Sequence, residues 1–202
     1  MYDREFLGRS EEVSQQIVSF VLQMLETEES NQVQSVLCVG ICKLLLSGQV
    51  TDTRVLASLI LTYVSPATAD NAELRQCLSY FFPLYCYSAP ENQRRMQSIF
   101  VSAFDLASRV YEELEEDQEM ISLNQFGLLF VDWTDPTKLL NTPPKDATDQ
   151  NVHADLAISI LLALYDSDRT GDVSEEGCRT LLTLKAQMTI ARFSVNWWEI
   201  KL

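Results

Sequence analysis

A chain of 202 residues, 47% of them hydrophobic, is long enough to bury a continuous core. No apolar run in it reaches the roughly 20 residues that a membrane span needs. With 15 Lys and Arg against 29 Asp and Glu, a net charge of −14, it is excluded as a general binder of polyanions. The imbalance lies late in the chain: residues 1–110 hold 8 basic against 12 acidic side chains, and residues 111–202 hold 7 against 17.

Helical spacing of apolar residues recurs from the start. Ser10 precedes EEVSQQIVSFVLQMLETEE, with Val13, Ile17, Phe20, Val21, Met24 and Leu25 on one stripe. Ser30 opens a second stripe of Val33, Val36, Leu37, Ile41, Leu44 and Leu45, with Gly48 placed as its C-cap. Thr51 or Asp52 opens a third helix that stops before Pro66. Asp70 and Glu73 have capping-box spacing ahead of a fourth, ELRQCLSYFFPLYCYS. Ser88, with Pro90 in the first turn, predicts a fifth continuous helix through ENQRRMQSIFVSAFDLASRVYEELEED. A sixth spans 120–133, a polar loop occupies 134–150, and helices resume at NVHADLAISILLALYDS and SEEGCRTLLTLKAQMTI.

One helix per ~20 residues, or one pair per ~40, is the period of HEAT-type repeats. The expected fold is therefore all-α: a HEAT-type α-solenoid of roughly four antiparallel helical pairs, forming a single segment over residues 1–202. Pro83, inside the fourth helix, removes a backbone hydrogen bond at a cost of ~3 kcal/mol. In a curved helical array such a proline has an architectural explanation, because neighbouring helices cover the freed carbonyl.

Little points to catalysis. There is no glycine-rich phosphate loop and no nucleophile elbow, and His153 is the only histidine. It reads as a helix-start contact. DSDRTGDVSEEG (166–177) imitates a calcium loop at Asp166, Asp168, Thr170 and Gly171, but Gly177 stands where a bidentate Glu is required. Cys38 and Cys42 lie i, i+4 on one face with no second pair at a readable spacing, so they read as buried thiols. The odd count of five cysteines and a start without signal-peptide character point to a reducing, cytosolic or nuclear compartment. No cofactor or metal is expected. The acidic run 112–119 reads as a solvated helix end, and Trp197 and Trp198 either cap a final core or await a partner helix.

The stretch ELRQCLSYFFPLYCYSAPENQ, with GICKLLLSGQVTDTRVLASLIL before it and FGLLFVDWTDPTKL and NVHADLAISILLAL after it, resembles the C-terminal HEAT-repeat region of condensin G subunits (CAP-G type, non-SMC subunit 3). The resemblance covers about residues 13–165, and more loosely to 190; ARFSVNWWEIKL lies outside it. It implies a fragment of a longer array, a non-enzymatic role in mitotic chromosome condensation, and a nuclear, chromosomal location with a possible cytoplasmic pool. It further implies a kleisin partner, SMC ATPase subunits met indirectly, and double-stranded DNA held only with the full array and kleisin.

Alternating helix direction would gather Arg9, Lys43, Arg54, Arg94 and Arg95 on one edge, against Glu11, Glu12, Asp52 and Glu91. That edge is the candidate for phosphate or an acidic partner segment; the alternative is ordinary solvated charge. Phe81, Phe82, Tyr85 and Tyr87 span a full helical turn, so not all can point inward. Phe82, Tyr85 and Tyr87, with Trp197 and Trp198, are the candidate kleisin anchors. The competing reading is a generic HEAT-type interaction scaffold with no DNA role.

Overall fold

The computed structural model describes residues 16–25, 27–115, 118–140, 152–170 and 177–184, the last five residues of 152–170 in backbone only. Arg9, Ser10, Val13, Trp197, Trp198 and loop residues 141–150 lie outside the described residues. Among the described residues every regular element is a helix. They are α1 (16–25), α2 (Asn31–Leu46), α3 (Thr53–Val64), α4 (Ala72–Ser88), α5 (Pro90–Ser98), α6 (Phe100–Glu112), α7 (Leu123–Trp133), α8 (Val152–Thr170) and α9 (177–184), with 3₁₀ turns at Pro66–Thr68 and Pro136–Lys138. The helices divide into two compact units, residues 1–82 and 83–202. The division falls at Pro83, inside α4.

In the first unit α2 ends as the sequence predicts. Gly48 takes φ +70°, its N–H reaches the Leu45 carbonyl, and the Gln49 N–H reaches that of Leu44. Those two bonds make a Schellman cap, and the positive φ is why glycine stands there. Asp52 caps α3 by accepting the Arg54 N–H at 2.9 Å. Ser30 sits at the N-cap of α2 but makes no side-chain capping bond; the Glu28 carboxylate accepts its N–H instead. Cys38, Ile41, Leu45, Val55, Leu59, Ile60, Leu74, Leu78 and Phe82 fill the core, and Tyr63 meets Phe82 edge-on at 5.6 Å.

The start of α4 differs from the capping box expected of Asp70 and Glu73. Asn71 is the cap: it is buried, and its Oδ1 accepts the Leu74 N–H at 3.1 Å. Its Nδ2 donates to the Asn31 carbonyl, and the Ser35 hydroxyl donates to its Oδ1 at 2.9 Å. A short amide therefore serves two helix starts at once, which Asp70, exposed one residue earlier, cannot do. This also places the starts of α2 and α4 side by side, as alternating helix direction requires. Asn71→Ala should cost about 2–3 kcal/mol, combining a lost cap with orphaned buried groups. Chemical denaturation measures that loss, and a change under 0.5 kcal/mol would show that the knot is ornamental.

In the second unit the helix expected to run unbroken from Pro90 is two helices. Ile99 (φ −94°, ψ −5°) makes a tight turn, its N–H reaching back only to the Met96 carbonyl, and the ladder resumes with the Ala103 N–H on the Ile99 carbonyl. The Ser98 and Ser102 hydroxyls donate to the Arg95 and Ile99 carbonyls and compete with the backbone there. Pro90 is the first helical residue, as expected. The N-cap is Ala89 rather than Ser88, whose hydroxyl bonds the Tyr85 carbonyl.

Phe100 and Phe104 of α6 meet Phe130 and Phe126 of α7 with ring centroids 5.1 and 6.2 Å apart, and Trp133 extends the cluster along α7 at 5.6 Å from Phe130. Val152, Leu156 and Ile160, at i, i+4, i+8, turn α8 inward. α7 starts with a complete capping box between Ser122 and Gln125.

Candidate partner-binding surfaces

The residue pattern of α4 decides which of its aromatics can meet a partner. Leu74, Leu78, Phe81, Phe82, Tyr85 and Cys86 follow helical spacing and are buried. Phe82 and Tyr85, expected as kleisin anchors, are therefore core residues. The pattern Leu74–Leu78–Phe82 at i, i+4, i+8, extended by Tyr85 and Cys86, rotates both rings inward. The outward residues are Tyr80, 71% exposed, and Leu84, 53% exposed.

Tyr87 is half-buried and already engaged. Its hydroxyl donates to Asp132 Oδ2 at 2.5 Å, Lys138 pairs with the other carboxylate oxygen, and Lys138 Nζ sits 5.6 Å over the Tyr87 ring. Burial and the Asp132 bond both push the Tyr87 phenol up. Burial would raise the Asp132 carboxyl, but Lys138 and Tyr87 outweigh it and hold it low. The Leu140 N–H closes on the Tyr87 carbonyl at 2.9 Å, and Gln93 Nε2 donates to the Asp135 carbonyl at 2.8 Å. The VDWTDP segment thus staples the end of α7 onto α4 and α5.

The basic candidates occupy different surroundings. Arg54 is exposed but chelates Asp52, with one contact at 2.6 Å, and that bond lowers the Asp52 carboxyl. Such an exposed pair adds little to stability. Arg95 is half-buried, donates to Asn92 Oδ1 at 2.8 Å and lies by the Tyr85 hydroxyl. Lys43 is exposed and Arg94 half-exposed, and neither has an acidic partner among the described residues. Lys43 and Arg54 belong to the first unit, Arg94 and Arg95 to the second.

His153 lies in the first turn of α8. Burial lowers its pKa, and the opposing pull of Asp135 does not restore it. Of the calcium-loop imitation, Asp166, Asp168 and Thr170 fall in the helical backbone of α8, where an EF-hand would need a loop; residues 171–176 lie outside the described residues. Cys38 and Cys42 are buried, and α4 brings Cys77 beside them. The thiols of Cys42 and Cys77 hydrogen-bond toward Cys38 and hold its thiol low, whereas the Cys38 bond and burial push Cys42 up.

Helical hairpins with apolar inner faces, capped turns and no strand among the described residues define a HEAT-type α-solenoid protein. Residues 1–190 match the family described as nuclear condensing complex subunits, C-terminal domain, and the chain belongs to that family. Condensin complex subunit 3 of Schizosaccharomyces pombe is 35% identical over 73% of this chain and 18% of its own length. The human subunit of that name is 31% identical over 60% of this chain and 12% of its own. A crystal structure of the S. pombe condensin Cnd3–Cnd2 subcomplex superposes with a TM-score of 0.65 at 28% identity, covering 87% of this chain and 25% of that one. The chain thus spans less than a fifth of the length of these curated relatives.

Proposed function

We propose that this chain is a section of a non-enzymatic condensin HEAT subunit that binds the kleisin chain, and that with kleisin and the rest of the array it helps hold double-stranded DNA during mitotic chromosome condensation. SMC ATPase subunits would be met indirectly, and the setting is the chromosome in the nucleus. The observation that carries the reading is the likeness over 87% of the chain to a Cnd3 structure described in complex with Cnd2. Tyr80 and Leu84 replace Phe82 and Tyr85 as apolar anchors for the partner. Trp197 and Trp198, outside the described residues, stay candidates. Lys43, Arg54, Arg94 and Arg95, together with Arg9, stay candidates for phosphate.

The charge predicts how the DNA role must be organised. With a net charge of −14 the isolated chain should bind duplex DNA poorly at physiological salt. In the assembled subunit–kleisin complex, reversing Arg94 and Arg95 to Glu should weaken all sequences alike and reduce the salt slope by about 1–2. Fluorescence anisotropy on a labelled duplex across a salt series reads both. Submicromolar binding by the chain alone would refute the charge argument, and unaltered binding by the reversed complex would remove these arginines from the DNA path.

A further inference from the structure

Cys38 and Cys42 lie one turn apart on α2, and Cys77 comes from α4, all in the first compact unit. Their three sulfurs lie within 4.8 Å of one another. Three sulfurs bound to one metal at ~2.3 Å stand roughly 3.8–4.0 Å apart in tetrahedral or trigonal geometry, so adjustments of under about 1 Å close the set. Cys38 and Cys42 are buried among apolar helix faces, while Cys77 is half-exposed and opens the group to solvent. No His, Asp or Glu among the described residues joins them.

We propose that Cys38, Cys42 and Cys77 form a three-thiolate binding site for a soft, thiophilic d¹⁰ cation, Zn(II) or Cu(I). Thiolate sulfur selects these ions over hard cations such as Mg²⁺ or Ca²⁺. Three protein ligands complete a trigonal Cu(I) site as they stand. With Zn(II) they leave one position, on the Cys77 side, for water. The spacing that joins the ligands is tertiary: 35 residues separate Cys42 from Cys77, so no sequence motif announces it. A bound cation would tie α2 to α4 beside the Asn71 knot, and this inference stands apart from the condensin reading.

The test uses the 202-residue chain, reduced and stripped of metal. Co(II) stands in for Zn(II), because sulfur-to-cobalt charge transfer and tetrahedral d–d bands report thiolates and geometry. A Cu(I) titration against a chromophoric chelator forms the second arm. One equivalent of metal is expected in at least one arm, with three thiols protected from alkylation. Cys77→Ser should weaken binding about 100-fold or more, since losing an outer-shell partner alone costs 10–100-fold. Cys77 is the variant of choice because its half-exposed position tolerates serine, and circular dichroism confirms its helices. Cys86→Ser and Cys178→Ser should bind as the parent does. Absence of charge transfer and of chelator-competitive Cu(I) binding would leave three packing thiols and overturn the proposal, as would undiminished binding by folded Cys77→Ser.

Discussion

Phe130→Ala should destabilise the second unit by about 3–5 kcal/mol, the usual cost of deleting a buried ring and leaving its cavity. Phe130 is fully buried with ring neighbours 5.1–5.6 Å away: Phe100 across on α6, and Phe126 and Trp133 along its own helix, so it joins α6 to α7 at the centre of an aromatic cluster. Its neighbours sit on rigid helices and cannot collapse into the gap. For a chain of this size the loss corresponds to a fall of roughly 10 °C in Tm, read by thermal circular dichroism. A fall of 2 °C or less would mean that the aromatic ladder is not the core of that unit.

Gly127→Val should have a comparable effect for the opposite reason. Gly127 faces α9, and a Cβ there would lie 2.1 Å from Leu184 Cδ1 and 3.0 Å from its Cγ. Both Leu184 methyls would lie closer than 3.0 Å and the branch carbon at the limit of contact, so the buried Leu184 side chain has to shift. Overpacking of this kind costs up to about 3 kcal/mol. Leu184, itself fully buried, should be cheaper to truncate to Ala in the Gly127→Val background than in the parent, a coupling that a double-mutant cycle isolates. Gly40 is the internal control: nothing lies within 4 Å of a Cβ there, so Gly40→Ala should stabilise by up to about 1 kcal/mol. Equal behaviour of the two glycines would contradict the packing of α9 on α7.

Helix positions were legible in the sequence because burial of one face imposes its period whatever the partner. Gly48 and Asp52 were legible because a cap is a local problem solved by local chemistry. The failures share a physical cause. Asn71 displaced Asp70 as a cap because its amide also serves α2, a contact 36–40 residues away. Ile99 breaks the fifth helix through serine hydroxyls that helical periodicity does not weigh. On α4 the aromatics were legible as a group, but which of them face inward depends on the rotation of the helix. Spacing from Leu74 and Leu78 already pointed to Phe82 and Tyr85 as core, leaving Tyr80 and Leu84 outside. Cys77 could not be assigned to Cys38 and Cys42 from a sequence in which they lie on different helices.

Kleisin binding is the claim on which the functional reading turns, and calorimetric titration of the kleisin chain into this chain measures it directly. A one-to-one complex is expected. Tyr80→Ala should weaken it about 30-fold, equivalent to the ~2 kcal/mol of an aromatic anchor, while leaving the helical spectrum unchanged. If no heat evolves and the two chains migrate separately through a sizing column, this section of the subunit does not bind kleisin.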